Sequence, residues 1–180
     1  MNQPLDTAPV ESFWNPIRRM FALWVVVLLI GFYGTQYGQD KGPTTTNVIW
    51  LVLGLLGVGY MKKVMPFSDP VYGPPNKKIF WAWFAIVFGG IALTQASFYY
   101  QPLTMFVPYL GALWLFLMAL GHAITGLVDK KSLANVYAAT TVLQVLAGLF
   151  IIFVPMLMGP QFLFAGVVSA LAMVLLIAFA

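Results

Sequence analysis

The chain holds one histidine, His122, and no cysteine, so the residues that could do chemistry are few and uncharged. Thiolate metal sites, CxxC redox chemistry and disulfides are excluded at once. A lone imidazole without cysteine makes neither a nucleophilic triad nor a zinc site within the chain. No Asp, Glu, Lys or Arg falls well inside any apolar stretch. That removes the paired carboxylates of glycosidases and the charged relays of proton pumps and voltage sensors. What remains is a set of neutral hydrogen-bonding side chains: His122, Thr141 and, at i, i+4 and i+8 on one helical face, Thr140, Gln144 and Gly148. Such groups can replace water around a small neutral solute without trapping it, which is the chemistry of a passive path.

The type of His122 gives it three uses. It can be a neutral ring hydrogen-bonded to a neighbouring hydroxyl or carbonyl, a pore-lining or pH-sensing ring, or an axial haem ligand completed by a methionine or by His122 of another copy. Helical spacing sets Met118 and Thr125 on its face, and an antiparallel neighbour brings Tyr137 and Thr141 to its depth. Gln144 falls in the middle of an apolar run, so it either bonds across helices or lines a solute path. Gln36, Thr94 and Gln95 fall near helix ends, where water suffices as their partner. No cofactor and no metal site is expected.

Composition decides what positions these groups. Of 180 residues, 61% are hydrophobic and 8% charged, against about half and a quarter in soluble domains. Apolar stretches at about 20–38, 48–64, 79–97, 105–127, 133–154 and 162–180 read as six membrane-crossing helices, since hydrocarbon offers backbone groups no partner outside their own segment. The alternation of a barrel strand is absent. The fold class expected is therefore all-α, a polytopic membrane protein with a polar cytoplasmic arm at 1–19 and a six-helix domain at 20–180. The arm, with Asp6 and Glu11, does not read as a cleavable signal. Proline and glycine mark the boundaries, at Gly42 and Pro43, Pro66 to Pro75, Pro102 and Pro108, and Pro155 to Pro160.

Eight of the nine basic residues (Arg18, Arg19, Lys62, Lys63, Lys77, Lys78, Lys130 and Lys131) fall on one side of this topology, and Lys41 alone on the other. The bias predicts an inner or plasma membrane location with both termini cytoplasmic. The net charge of +4 then reflects topology and anionic headgroups, not nucleic acid. Tyrosine and tryptophan collect near both interfaces, as anchors do.

Leu23, Trp24, Gly31 and Thr35 in the first stretch recur as Leu113, Trp114, Gly121 and Thr125 in the fourth. The correspondence predicts a three-plus-three inverted repeat. Gly31 with Thr35, and Gly121 with Thr125, are small-xxx-small elements that predict close helix packing.

Residues Tyr109 to Ala112 and Val128-Asp-Lys-Lys-Ser-Leu-Ala-Asn-Val136 resemble a hairpin of the AmiS/UreI small-amide and urea channels, over about a sixth of the chain. The resemblance implies passive flow of a small neutral solute through an oligomeric six-helix protomer. The leading expectation is thus a non-catalytic channel or facilitator for a small neutral solute or ion, lined by His122, Thr141 and Gln144. The first alternative is an accessory subunit of a larger membrane complex; the second is a haem- or quinone-associated membrane protein resting on His122. Expected partners are the lipid bilayer and either further copies of the chain or other membrane subunits.

Overall fold

The computed structural model describes residues 16–65, 67–70, 73–129 and 133–179, and among them the chain is all-helical. The helices are α1 (Pro16–Gly38), α2 (Pro43–Val64), α3 (Gly73–Tyr99), α4 (Leu110–Asp129), α5 (Ala134–Phe153) and α6 (Gln161–Phe179). All six are long and apolar enough to cross a membrane. The expected arm at 1–19 is shorter by its last turn: residues 16–19 belong to α1, and 1–15 lie outside the described residues.

Prolines move the helix starts away from the limits that hydropathy draws. Pro16 and Pro43 open α1 and α2, and Pro74 and Pro75 sit in the first turn of α3, where a missing N–H leaves no helical bond unmade. As a result α3 begins six residues ahead of its apolar run. The fourth stretch behaves differently. Gln101–Tyr109, with Pro102 and Pro108, winds as a 3-10 turn, and α4 starts only at Leu110. Gly42 caps α2 with φ +93°, a conformation that side chains disfavour.

Contacts between neighbours run in opposite directions, so the helices alternate up and down. Arg18, Arg19, Lys62, Lys63, Lys77 and Lys78 consequently lie at one end, here the basic end; the other is the distal end. Side chains such as Leu55, Leu56, Leu120, Leu146 and Val167 point outward, as expected of a surface in lipid. Leu28, Phe32, Leu115, Ile151 and Leu176 fill the interior.

Tryptophans clasping glycines hold the first two hairpins. An added Cβ on Gly31 would lie 2.6 Å from the Trp50 ring, and one on Gly57 2.8 Å from Trp24. The same reciprocal pair recurs between α3 and α4, where a Cβ on Gly121 would lie 2.6 Å from Trp83 and one on Gly90 2.9 Å from Trp114. Each tryptophan stands seven residues before the glycine of its own helix: Trp24 and Gly31, Trp50 and Gly57, Trp83 and Gly90, Trp114 and Gly121. Four residues further come Thr35, Met61, Thr94 and Thr125. The threonines accept the indole protons of the partner helix: Trp50 Nε1 to Thr35 at 2.7 Å, Trp114 to Thr94 at 3.1 Å and Trp83 to Thr125 at 2.9 Å. Thr35 and Thr125 in turn donate to the carbonyls of Gly31 and Gly121, each at 2.8 Å.

Gly31, Thr35, Gly121 and Thr125 therefore do occupy like contacts. However, Gly31 receives its tryptophan from the helix after it and Gly121 from the helix before it. In these contacts the likeness runs between one hairpin and the next, and no symmetry between triplets of helices is shown.

Around the bundle α1 packs along α6, and α4 along α5, over most of their length, whereas α2 meets α3 only briefly. Gly166 accepts Phe32 of α1, and Gly148 accepts Phe116 of α4.

Candidate functional site

Three buried polar side chains lie where α4, α5 and α6 pack together: His122 at 1% exposure, with Gln144 and Ser169 fully buried. By helical rise Gln144 and Ser169 stand about 12–14 Å from the distal helix ends and His122 about 18 Å, so all three occupy the middle of the span. Thr140, Gln144 and Gly148 are all buried, as their shared face requires. The imidazole of His122 is boxed by Trp83, edge-on with centroids 5.4 Å apart, and by Tyr137 at 6.1 Å. The Gln144 carboxamide is the polar group beside it, yet the two stop short of hydrogen-bond geometry. Both ring nitrogens, both amide atoms of Gln144 and the Ser169 hydroxyl make no hydrogen bond to the protein. An unmade hydrogen bond on a buried polar group costs about 1–3 kcal/mol, so each of these mid-span side chains has hydrogen-bonding capacity that a polar guest would satisfy.

Thr141 does not join this group through its hydroxyl. It donates to the carbonyl of Tyr137 at 2.7 Å and lies 3.4 Å from that of Ala119, both backbone groups. The spacing that brought Thr141 to the depth of His122 could not reveal that its own helix takes its proton. Thr125, on the face of His122, is likewise occupied by Trp83 and Gly121. No group of three or more His, Cys, Asp or Glu comes together among the described residues.

The second polar place lies at the distal end, between α2 and α3, and sequence reasoning missed it. Thr35, Thr46, Asn47, Thr94, Trp50 and Trp114 line a chamber of about 20 Å³, room for one or two waters. Trp50 and Trp114 stack with centroids 5.5 Å apart and planes 8° off parallel, and Phe32 meets both edge-on. Gln95 of α3 donates to the Asn47 carbonyl oxygen of α2 across the seam.

Two further glutamines, also not foreseen, tie the distal connections. Gln36 of α1 accepts the Phe162 N–H at 3.3 Å and donates to the Gly159 carbonyl at 3.0 Å. Gln161 of α6 repeats the pattern one helix on, accepting the Gly111 N–H at 2.7 Å and donating to Val107 at 3.3 Å. Each carboxamide caps an early N–H of another helix, a group with no partner inside that helix. Gly111 lies against this tie: a Cβ there would fall 2.8 Å from the Gln161 carbonyl oxygen. A search for a seven-residue Trp-to-Gly interval would have exposed the clasps, whereas no local signal announces the glutamine ties.

Compared with protein families, curated proteins and solved structures, the chain matches none of them.

Proposed function

We propose that this chain is a passive facilitator for a small uncharged, hydrogen-bonding solute in an inner or plasma membrane, with both termini cytoplasmic. The observation that carries the reading is the unmet hydrogen-bonding capacity of His122, Gln144 and Ser169 in mid-span. A bundle whose only task is packing gains nothing from three such groups, while a solute that sheds water on entry needs donors and acceptors at that depth. The spans carry no charged group there, which suits a neutral guest and a path without ion coupling. Thr141 contributes the backbone-facing wall of α5 and no hydroxyl to the path. The chain performs no catalysis in this reading.

Purified protein in liposomes tests it by stopped-flow light scattering with water, glycerol and formamide. Faster relaxation than in protein-free vesicles is expected for at least one of them, and slower flux in Gln144→Leu. Permeability equal to empty vesicles for all three would favour the second reading, a non-catalytic subunit of a homo-oligomer or a larger membrane complex. That alternative has its own observation, an apolar groove of about 320 Å³ between α1 and α6 lined by Leu29, Ile30, Tyr33, Leu163, Gly166 and Val167. The haem reading is the weakest, because Trp83, Tyr137 and Gln144 leave His122 no open face for a planar macrocycle.

A further inference from the structure

We propose that the distal chamber between α2 and α3 is a binding station for a small uncharged molecule bearing both a donor and an acceptor, latched by the Gln95–Asn47 hydrogen bond.

The walls supply the chemistry. Thr35 and Thr94 each accept one indole proton and keep a second lone pair, Thr46 donates to the Pro43 carbonyl at 2.8 Å and keeps both of its own, and the Asn47 amide nitrogen supplies donors. The stacked Trp50 and Trp114 rings form a flat apolar floor that excludes bulk water beneath these groups. Among the described residues no charged side chain lines the chamber, so an ion would find no counter-charge there.

The seam supplies the access. The α1/α2 and α3/α4 hairpins are each fixed by two tryptophan clasps, and α6 is tied to α1 and α4 by Gln36 and Gln161. Among the described residues there is no such clasp between α2 and α3, and Gly54, Gly59 and Gly89 of these helices have nothing within 4 Å of an added Cβ. Contact between the two helices is brief, and both line the chamber, with Thr46, Asn47 and Trp50 from α2 and Ile91, Thr94 and Phe98 from α3. Latched, the space takes one or two waters; release of the Gln95–Asn47 bond widens it to a larger guest. The Facilitator reading above enters only in the choice of guest, since access to the chamber is measurable without flux.

The test uses Thr46→Cys in the otherwise cysteine-free chain, reconstituted in liposomes and exposed to iodoacetamide, itself small, uncharged and bearing an amide donor and acceptor. The thiolate displaces iodide to form a thioether, and mass spectrometry counts the product. Labelling is expected, and Gln95→Leu should speed it about three- to tenfold, the population shift set by one interhelical hydrogen bond. Leu28→Cys, buried in α1 and outside both the chamber lining and the His122, Gln144 and Ser169 group, should stay unlabelled in both backgrounds. Thr94→Cys repeats the measurement from the opposite wall, so a folding defect in one variant leaves the other to decide. A rate indifferent to Gln95→Leu, or no labelling at either wall, would overturn the proposal.

Discussion

Gly31→Ala isolates the tryptophan clasp with a single carbon. The new Cβ would lie 2.6 Å from one atom of the Trp50 ring and 2.8 Å from two more, roughly 1 Å inside ordinary carbon contact. Trp50 cannot swing away freely. Its Nε1 is bonded to Thr35 at 2.7 Å, one ring face is stacked on Trp114, and Phe32 abuts it at 5.1 Å. Overpacking of this kind costs about 1–3 kcal/mol, and loss of the indole bond adds about 0.6 kcal/mol in a membrane protein. The intrinsic helix preference of alanine returns up to about 1 kcal/mol. The net is a destabilisation of about 0.6–2.6 kcal/mol, or roughly a three- to eightyfold rise in the unfolded fraction. Steric trapping in bicelles measures this directly, with Gly59→Ala and Gly89→Ala as controls, since nothing lies within 4 Å of either Cβ. In a Trp50→Leu background the cost should vanish, giving a coupling of at least about 1 kcal/mol. If Gly31→Ala is as mild as the controls, or costs the same without the Trp50 ring, then the clasp is not what holds the hairpin.

Gly111→Ala should destabilise at least as much as Gly121→Ala, because its Cβ meets the Gln161 backbone at 2.8 Å, whereas that of Gly121 meets a ring that can tilt; melting in detergent ranks the two. Gln144→Leu should split stability from activity: the fold is unchanged or firmer by about 1 kcal/mol, since an unpartnered buried amide is removed, while solute flux in liposomes falls. Gln36→Leu and Gln161→Leu should each cost about 1–2 kcal/mol through loss of a helix cap, and hydrogen exchange should quicken at Phe162 in the first and at Gly111 in the second. Cysteine at exposed Thr44 should react with an impermeant maleimide on sealed cells while cysteine at Lys77 stays protected, and the reverse pattern would invert the topology.

The six spans were legible because hydrocarbon demands long apolar helices, and that demand is written in composition alone. Their starts were less so: Pro74 and Pro75 look like breakers in the sequence, yet a first turn tolerates both. Gly31 and Gly121 were legible as close contacts, since small residues four apart from threonine signal packing, but the rings that fill them come from Trp50 and Trp83, which interface statistics cast as anchors. His122 and Gln144 were found because a polar group in an apolar run is conspicuous. Ser169 was passed over as one more small residue, and its burial without a partner is set by how α6 packs on α4 and α5. The Asn47–Gln95 bridge and the glutamine ties join residues 48 to 126 positions apart, a separation that no local pattern encodes.

The clasps also impose an order on biogenesis. Trp24, Gly31, Trp50 and Gly57 are all present once α2 has left the ribosome, and the α3/α4 pairs are complete before α5 is made, so both hairpins can lock during synthesis from short-range contacts alone. The groove that α1 offers to Gly166, and the Gln36 amide that waits for Phe162, find their partners only when the last helix arrives. Until then Gln36 and the Gly111 N–H lack the partners that α6 brings. Nascent chains lacking α6 are therefore bundles with an open flank and unmet polar groups, an aggregation-prone form.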